Sequence, residues 1–226
     1  MKKFLCVIVF VLCVAEVSSA APAYGTRMPK QGKIFVGLQN HTVLTQELEG
    51  DNGKMKSLQN FFLISFGVMD WLSIDLKGGA GNITQSVPSS EDIEWPTFVG
   101  GGYGFRVKFF DTQKTDAVFG FQHISIHPHA IDLDRVKKRA ILDDWQLSLL
   151  ASHDLKWATP YAGIKWSRMD YIRWDNDLRN RAKGENSPFL GPVAGLDIPM
   201  GEKWWLNFEA NFADTEAVSG SINFAF

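Results

Sequence analysis

Two residues in one short segment have the side chains of a hydrolytic site. The segment FGFQHISIHPH, residues 119–129, places His123 and Ser125 one residue apart, after two phenylalanines. Side chains two positions apart in a β-strand lie on the same face of the sheet, so His123 and Ser125 would share a face with Phe119 and Phe121. A histidine can remove the proton of a serine hydroxyl that is otherwise a poor nucleophile, and a carboxylate can orient that histidine.

A carboxylate is available on the next segment with strand character. Ile141, Asp143, Trp145 and Leu147 alternate with more polar residues and would form the outward-facing set of that strand. Because the two strands form a hairpin, Asp143 can approach His123. The candidate site is therefore Ser125 as nucleophile, His123 as base and Asp143 as the orienting acid.

The beginning of the chain predicts export. MKKFLCVIVFVLCVAEVSSA has two lysines, an apolar stretch and a small-residue cleavage site, which together predict a cleaved signal peptide over residues 1–20. We expect a short periplasmic segment at 21–32 and one barrel domain at 33–226. Both cysteines, Cys6 and Cys13, lie in the signal, so no disulfide or cysteine metal site is expected after it.

The other end of the chain, VSGSINFAF, alternates apolar and polar residues and stops on Phe226. Period-two alternation is typical of a strand with one apolar and one polar face. This segment resembles the C-terminal strand of bacterial outer-membrane β-barrels, in which the final phenylalanine is part of the signal read by the barrel assembly machinery. The resemblance implies that Phe226 has this role here.

Alternating segments recur along the chain, and the connections between them are alternately tight and long. This rhythm predicts an all-β fold, a transmembrane antiparallel up-and-down β-barrel of about ten strands, with eight as the alternative. A secreted soluble β-sandwich is the other fold that such alternation permits. The predicted strands are 33–47, 56–67, 71–80, 96–110, 116–127, 140–152, 157–168, 188–198, 203–213 and 217–226.

Charge and motifs exclude several function classes. The formal net charge of −2 gives no support for nucleic-acid binding. No cofactor motif is present, and His127, His129, Asp132 and Asp134 have a spacing that matches no metal site, so neither a cofactor nor a metal is expected. The polar strand faces carry charges of both signs, which predict either a charge-paired plug or a small pore. These charges are Asp75, Lys77, Arg106, Lys108, Asp144, Lys165 and Glu209.

The segment FGFQHIS resembles the active strand of the lipid A 3-O-deacylases, small outer-membrane barrels with a lipid-facing histidine and serine one residue apart. The resemblance implies His123 as base and Ser125 as nucleophile, with Asp143 where that family more often has glutamate. The family also has an asparagine directly after the serine, and here that position is Ile126.

A β-bulge near His123 is the alternative, and we favour it. A bulge would turn Ile124 and Ile126 toward lipid and His123 and Ser125 inward or into the rim of the barrel. Ile124 and Ile126 are better suited than His123 and Ser125 to face lipid, so the sequence argues for the bulge.

The whole sequence predicts an integral protein of the bacterial outer membrane, similar to the small OmpA-like or opacity-type barrels. Its expected role is in envelope structure, surface interaction or a minor pore, and the alternative is a lipid A-modifying esterase. The expected partners are outer-membrane lipids, lipopolysaccharide and the barrel assembly machinery.

Overall fold

The structure confirms the predicted all-β barrel. It is a computed structural model and describes residues 24–88, 90–184, 189–211 and 216–226. The signal peptide predicted over residues 1–20 lies outside the described residues.

Strands make up most of the described chain, and the connections between them are short. A 3-10 turn at Gly50–Asn52 follows the first strand. Among the residues that the structure describes, no helix is long and apolar enough to cross a membrane. The strands are β1 (Ile34–Glu47), β2 (Lys54–Met69), β3 (Leu72–Ser86), β4 (Ile93–Asp111), β5 (Thr115–His127), β6 (Ile131–Leu133), β7 (Val136–His153), β8 (Thr159–Asp175), β9 (Leu178–Lys183), β10 (Phe189–Pro199), β11 (Trp204–Asn211) and β12 (Glu216–Ala225).

These segments form one closed antiparallel barrel of ten strands. The pairing of β1 with β12 closes the sheet. Two barrel strands are interrupted: β5 and β6 both pair with β7, and β9 and β10 both pair with β8. The start of β1 and the end of β12 lie at the same end of the barrel as the tight turns, which in bacterial barrels is the periplasmic end.

The two faces of the barrel wall have opposite polarity around its middle. A wall that is apolar outside and polar inside suits a surrounding of lipid, and closure leaves no strand edge unpaired. Large apolar side chains exposed on the outer face are Leu38, Phe62, Ile64, Phe66, Ile74, Leu76, Tyr103, Phe105, Leu147, Leu149, Ile164, Phe208 and Ile222. Polar side chains buried inside include Gln39, Ser65, Asp75, Lys77, Arg106, Gln122, Gln146, Lys165, Asn207, Glu209 and Ser221.

The periplasmic half of the lumen is filled by residues 24–30 together with buried charges. Arg106 donates to Asp75 through Nε and Nη2, at 2.9 and 2.8 Å, and through Nη1 to the carbonyl oxygen of Arg27 at 2.7 Å. Thr26 donates to Ser152 at 2.7 Å. The segment that precedes β1 is thus fastened inside the barrel by hydrogen bonds to the wall.

The outer half of the lumen is apolar. The side chains of Trp95 and Tyr171 meet edge to face there, with ring centroids 6.1 Å apart. The interior thus changes from polar to mainly apolar along the barrel axis, and at its outer end Arg173 lies beside Gln85 and pairs with Asp175. The buried apolar cluster also includes Val43, Leu48, Met55, Ile83, Ile124, Ile126, Leu142 and Met169.

Several strands continue beyond the predicted bounds into segments that the sequence indicated as long loops. β3 extends to Ser86, β7 begins at Val136 and β8 continues to Asp175. The residues 169–175 carry large apolar side chains on both faces, because the inner ones join the apolar cluster. Strict alternation, which identified the strands in the membrane, is lost there, so the predicted strands were too short at their outer ends.

Candidate functional site

The strand that carries the candidate residues has no bulge near His123. β5 pairs with β7 without a register shift from Thr115 to Ile126, and its pairing with β4 shifts only between Lys108 and Phe110. His123 and Ser125 therefore lie on the outer face of the barrel. The expectation of a bulge at this point was wrong.

The physical reason is the apolar outer lumen. Ile124 and Ile126 are 2% and 0% exposed and belong to the buried apolar cluster. Gly100 on β4 leaves room for Ile126, since an added Cβ there would overlap the Ile126 side chain. The two isoleucines are core residues of the apolar outer lumen. They therefore face inward, and the alternate residues His123 and Ser125 face outward.

The structure brings Ser125 and Asp143 together. These residues are directly opposite each other on β5 and β7, and the Ser125 hydroxyl donates to Asp143 Oδ1 at 2.5 Å. The same hydroxyl lies 2.8 Å from His127 Nε2. His127 is two positions after Ser125 on the same face of β5. The signal for His127 was therefore present in the spacing of residues 123, 125 and 127, although the sequence suggested His123 as the base.

His123 contacts the carboxylate rather than the serine. Its Nε2 is 3.7 Å from Asp143 Oδ1. Its ring lies against Trp145, with centroids 4.1 Å apart, and near Tyr103 at 5.4 Å. These aromatic contacts hold the imidazole over the outer face of the barrel, beside the carboxylate.

The histidines and aspartates after β5 do not gather into a cluster. His127 contacts Ser125, and His129 stacks on Phe98 with ring centroids 4.0 Å apart. Within the described part of the chain, no three side chains of the types that bind metals come close enough to share an ion.

Cross-strand neighbours of Ser125 form a row that slopes through the membrane. Strands in a closed barrel are tilted, so a row perpendicular to the strands descends on one side and rises on the other. Traced toward β4, the row descends to Ile198, next to the periplasmic turn at 200–203. It passes Gly101, Gly78, Phe62, Leu38, Ile222 and Leu206. Traced the other way, it rises through Asp143 and Asp170 to Lys183.

On the descending side, two glycines leave a shallow channel in the lipid-facing surface. Gly101 and Gly78 face outward between Ser125 and Phe62, and a Cβ added at Gly78 would meet nothing within 4 Å. Exposed Tyr103 and Val99 border the channel. We call this surface, floored by Gly78 and Gly101, the glycine groove. It leads from the serine hydroxyl into the apolar belt of the barrel.

On the rising side, the row is charged. The carboxylate of Asp170 is almost fully buried beneath two arginines. Arg181 donates to it through both Nε and Nη2, and Arg168 Nε lies 3.4 Å away. Ser125 therefore lies at a boundary, with apolar surface below it and charged surface above it.

Neither a family model nor any curated sequence matches this chain. Solved structures do match. The transport unit of the autotransporter AIDA-I from Escherichia coli is 9% identical, over 97% of each chain, with a TM-score of 0.50. The translocator domain of autotransporter NalP from Neisseria meningitidis is 14% identical, over 100% of this chain and 95% of that chain, with a TM-score of 0.47. Ail, the attachment invasion locus protein of Yersinia pestis, is 8% identical, over 88% of this chain and 100% of that chain, with a TM-score of 0.44.

At such low identity the likeness concerns the fold alone, and the TM-score of 0.50 with the AIDA-I transport unit supports that fold. That likeness agrees with the closed sheet, the apolar outer belt and the polar interior of the lower barrel. This chain is an integral β-barrel protein of the bacterial outer membrane.

Proposed function

We propose that this barrel hydrolyses an acyl ester of a glycolipid in the outer leaflet, the reaction class of the lipid A-modifying esterases. One observation carries the proposal. The Ser125 hydroxyl faces lipid and contacts both an imidazole nitrogen and a carboxylate, at 2.8 and 2.5 Å. Polar side chains on the lipid-facing side of a barrel lower its stability, so their presence there favours a functional role. Here His127 and Asp143 both contact the hydroxyl of Ser125, the nucleophile.

The reaction would proceed in two steps. The hydroxyl hydrogen turns from Asp143 to His127, which needs only rotation about the Ser125 Cβ–Oγ bond. Ser125 Oγ then attacks the ester carbonyl carbon while His127 Nε2 takes the proton, and the ester C–O bond breaks as that proton passes to the departing alcohol. Water then attacks the acyl carbon while His127 Nε2 takes its proton, the bond from that carbon to Ser125 Oγ breaks, and the proton passes from His127 to Ser125 Oγ as the fatty acid leaves. The carboxylate of Asp143 stabilises the imidazolium charge that forms in each step.

The experiment is a mass measurement on the lipid. The refolded protein is incorporated into vesicles that contain lipopolysaccharide, and the lipid A portion is analysed by mass spectrometry after incubation. The expected result is loss of the mass of one acyl chain together with release of the free fatty acid. An unchanged mass, with the barrel correctly folded in the same vesicles, would contradict the proposal.

The assignment of His127 as base gives a prediction that separates the two histidines. We expect His127→Ala to lower kcat by about 100- to 10,000-fold, the usual contribution of a general base. His123→Ala is expected to lower kcat less, because His123 acts on Ser125 only through Asp143. Hydrolysis rates of the two variants are compared after both have shown normal heat-dependent gel mobility. A larger loss in His123→Ala than in His127→Ala would restore the assignment made from the sequence.

The glycine groove supplies a place for the acyl chain, and filling it gives another prediction. We expect Gly78→Leu to lower kcat/KM by about tenfold or more, the order of effect of one misfitted apolar group in a binding site. The barrel should fold normally, since the added side chain extends into open space. Ala194→Leu, which adds the same kind of bulk to the outer face of β10, is the control and should leave kcat/KM unchanged. Equal activity of Gly78→Leu and the unaltered protein would exclude the groove as the acyl site.

A non-enzymatic role in envelope structure or surface interaction is the second candidate, and one observation favours it. The side chain of Ile126, which directly follows the serine, is apolar and points into the lumen, so it supplies no hydrogen-bond donor to an oxyanion, although such donors usually contribute much of the rate. The pore role has less support, because residues 24–30 and the apolar cluster fill the described lumen, and a cavity beside Tyr24 is about 20 Å³, room for one water. The finer likeness to OmpA-like or opacity-type barrels stays a prediction.

A further inference from the structure

The part of the barrel that extends above the Ser125 site has an outward face rich in arginine. β7, β8 and β9 form this face, and two cross-strand rows of it lie above Asp143. In the upper row, Arg139, Trp174 and Arg179 are direct neighbours. Both guanidinium groups lie over the Trp174 indole, at 5.5 and 5.7 Å from the ring centroid. Stacking on an indole fixes the plane of a guanidinium group and leaves its N–H donors free to bind an anion.

These two arginines differ from the arginines in the rows below. Arg168 and Arg181 are already paired with the buried carboxylate of Asp170. In the described part of the chain, neither Arg139 nor Arg179 forms a salt bridge, and both are exposed. The polar contact of Arg139 is with the carbonyl oxygen of Asn176 at 3.4 Å. Two cationic groups on one aromatic support therefore have no anionic partner among the residues that the structure describes.

The two arginines lie above Ser125 along the membrane normal. In a lipid of the outer leaflet, the charged headgroup likewise lies above the acyl chains. Arg139 is four residues above Asp143 on β7, which corresponds to about 13 Å along the strand and about 10 Å along the membrane normal for a tilted strand. We infer that Arg139, Trp174 and Arg179 form a binding site for a phosphate group on the headgroup of an outer-leaflet glycolipid. Planar guanidinium groups bind phosphate oxygens in pairs, with a geometry that lysine does not provide.

The site does not depend on hydrolysis, so its test measures binding in protein that carries Ser125→Ala. Diphosphoryl lipid A is titrated into the purified, folded barrel in neutral detergent, and bound lipid is counted by native mass spectrometry. The comparison ligand is the same lipid after enzymatic removal of both phosphates. The protein variant is Arg139→Gln with Arg179→Gln. The matched control is Lys30→Gln with Lys33→Gln, which removes two exposed positive charges at the periplasmic end.

We expect the dephosphorylated lipid to bind about tenfold more weakly or worse, as befits the loss of one charge-assisted contact. The double arginine variant should lose affinity for diphosphoryl lipid A by a similar factor, and the double lysine control should not. Equal binding of the two lipids, or equal affinity in the arginine variant and its parent, would overturn the inference. So would equally tight binding of phosphatidylglycerol, since that would indicate attraction to any anionic lipid. Absence of hydrolysis by the protein that retains Ser125, with this binding intact, would remove the proposed function and leave the phosphate site standing.

Discussion

Replacement of Ser125 by alanine is expected to abolish hydrolysis while leaving the barrel folded. The hydroxyl is the only group that forms the covalent bond to the acyl chain in the proposed reaction, and in serine hydrolases removal of the nucleophile lowers kcat by about 10⁴-fold or more. Alanine is well suited to an outward-facing position in the membrane, so stability should hardly change. The rate of fatty-acid release from lipopolysaccharide vesicles measures the effect.

The control for this variant is Thr42→Ala, which removes another hydroxyl from the outer face of the barrel. Thr42 lies on β1, and its hydroxyl contacts Asn40 at 3.2 Å, away from the Ser125 site. Full activity in Thr42→Ala with none in Ser125→Ala would assign the chemistry to Ser125. Residual hydrolysis above one-tenth of the normal rate in Ser125→Ala would mean that a different group, or a contaminating enzyme, cleaves the ester.

Removal of the buried carboxylate of Asp75 is expected to have the largest effect on stability. Asp75 is 0% exposed, and it accepts hydrogen bonds from Ser65 and from two nitrogens of Arg106. Asp75→Ala would leave the guanidinium group of Arg106 buried without its counter-charge. Removal of one partner of such a pair lowers the free energy of unfolding by about 3–5 kcal/mol. Urea titration of the refolded barrel in vesicles, followed by tryptophan fluorescence, measures the change.

Two further variants establish the cause of that effect. Asp111→Ala removes a carboxylate that is 62% exposed and paired with Lys108, and it should change the free energy of unfolding by about 1 kcal/mol or less. The double variant Asp75→Leu with Arg106→Met should recover more than half of the stability lost in Asp75→Ala, because no uncompensated charge remains. A double variant no more stable than Asp75→Ala would show that the hydrogen bond of Arg106 to residue 27 matters more than the charge pair.

The barrel could be predicted from the sequence because the alternation that marks a lipid-facing strand is visible within each short segment. In a strand that faces lipid on one side, every second residue must be apolar, and segments such as residues 71–80 and 96–110 show this without reference to any partner. The tight and long connections then indicate the strand number and the periplasmic end. The strand ends could not be predicted equally well. Outside the membrane, both faces of β7 and β8 can be apolar or polar according to what packs there.

The candidate site was predictable only in part. The hairpin predicted that Asp143 approaches His123, and the two side chains are 3.7 Å apart, but the register places Asp143 directly opposite Ser125. The position of His127 against the hydroxyl follows from the same two-residue period, yet its rotamer and hydrogen bond depend on the neighbouring strands. Residues 24–30 carry no pattern that predicts insertion into the lumen, because the groups that hold them, such as Arg106 and Ser152, are distant in sequence.

The sequence by itself determined which residues share a face of each strand, because side chains in a strand alternate with a strict period of two. It did not determine which face of β5 is the core face near its outer end. Ile124 and Ile126 look suited to lipid until Trp95, Leu142 and Tyr171 from other strands make the outer lumen apolar. Closure of the tilted sheet likewise decides that the row through Ser125 descends along the glycine groove and rises toward the arginines. Both properties belong to the assembled barrel, since each is set by residues that meet only when ten strands close on one another.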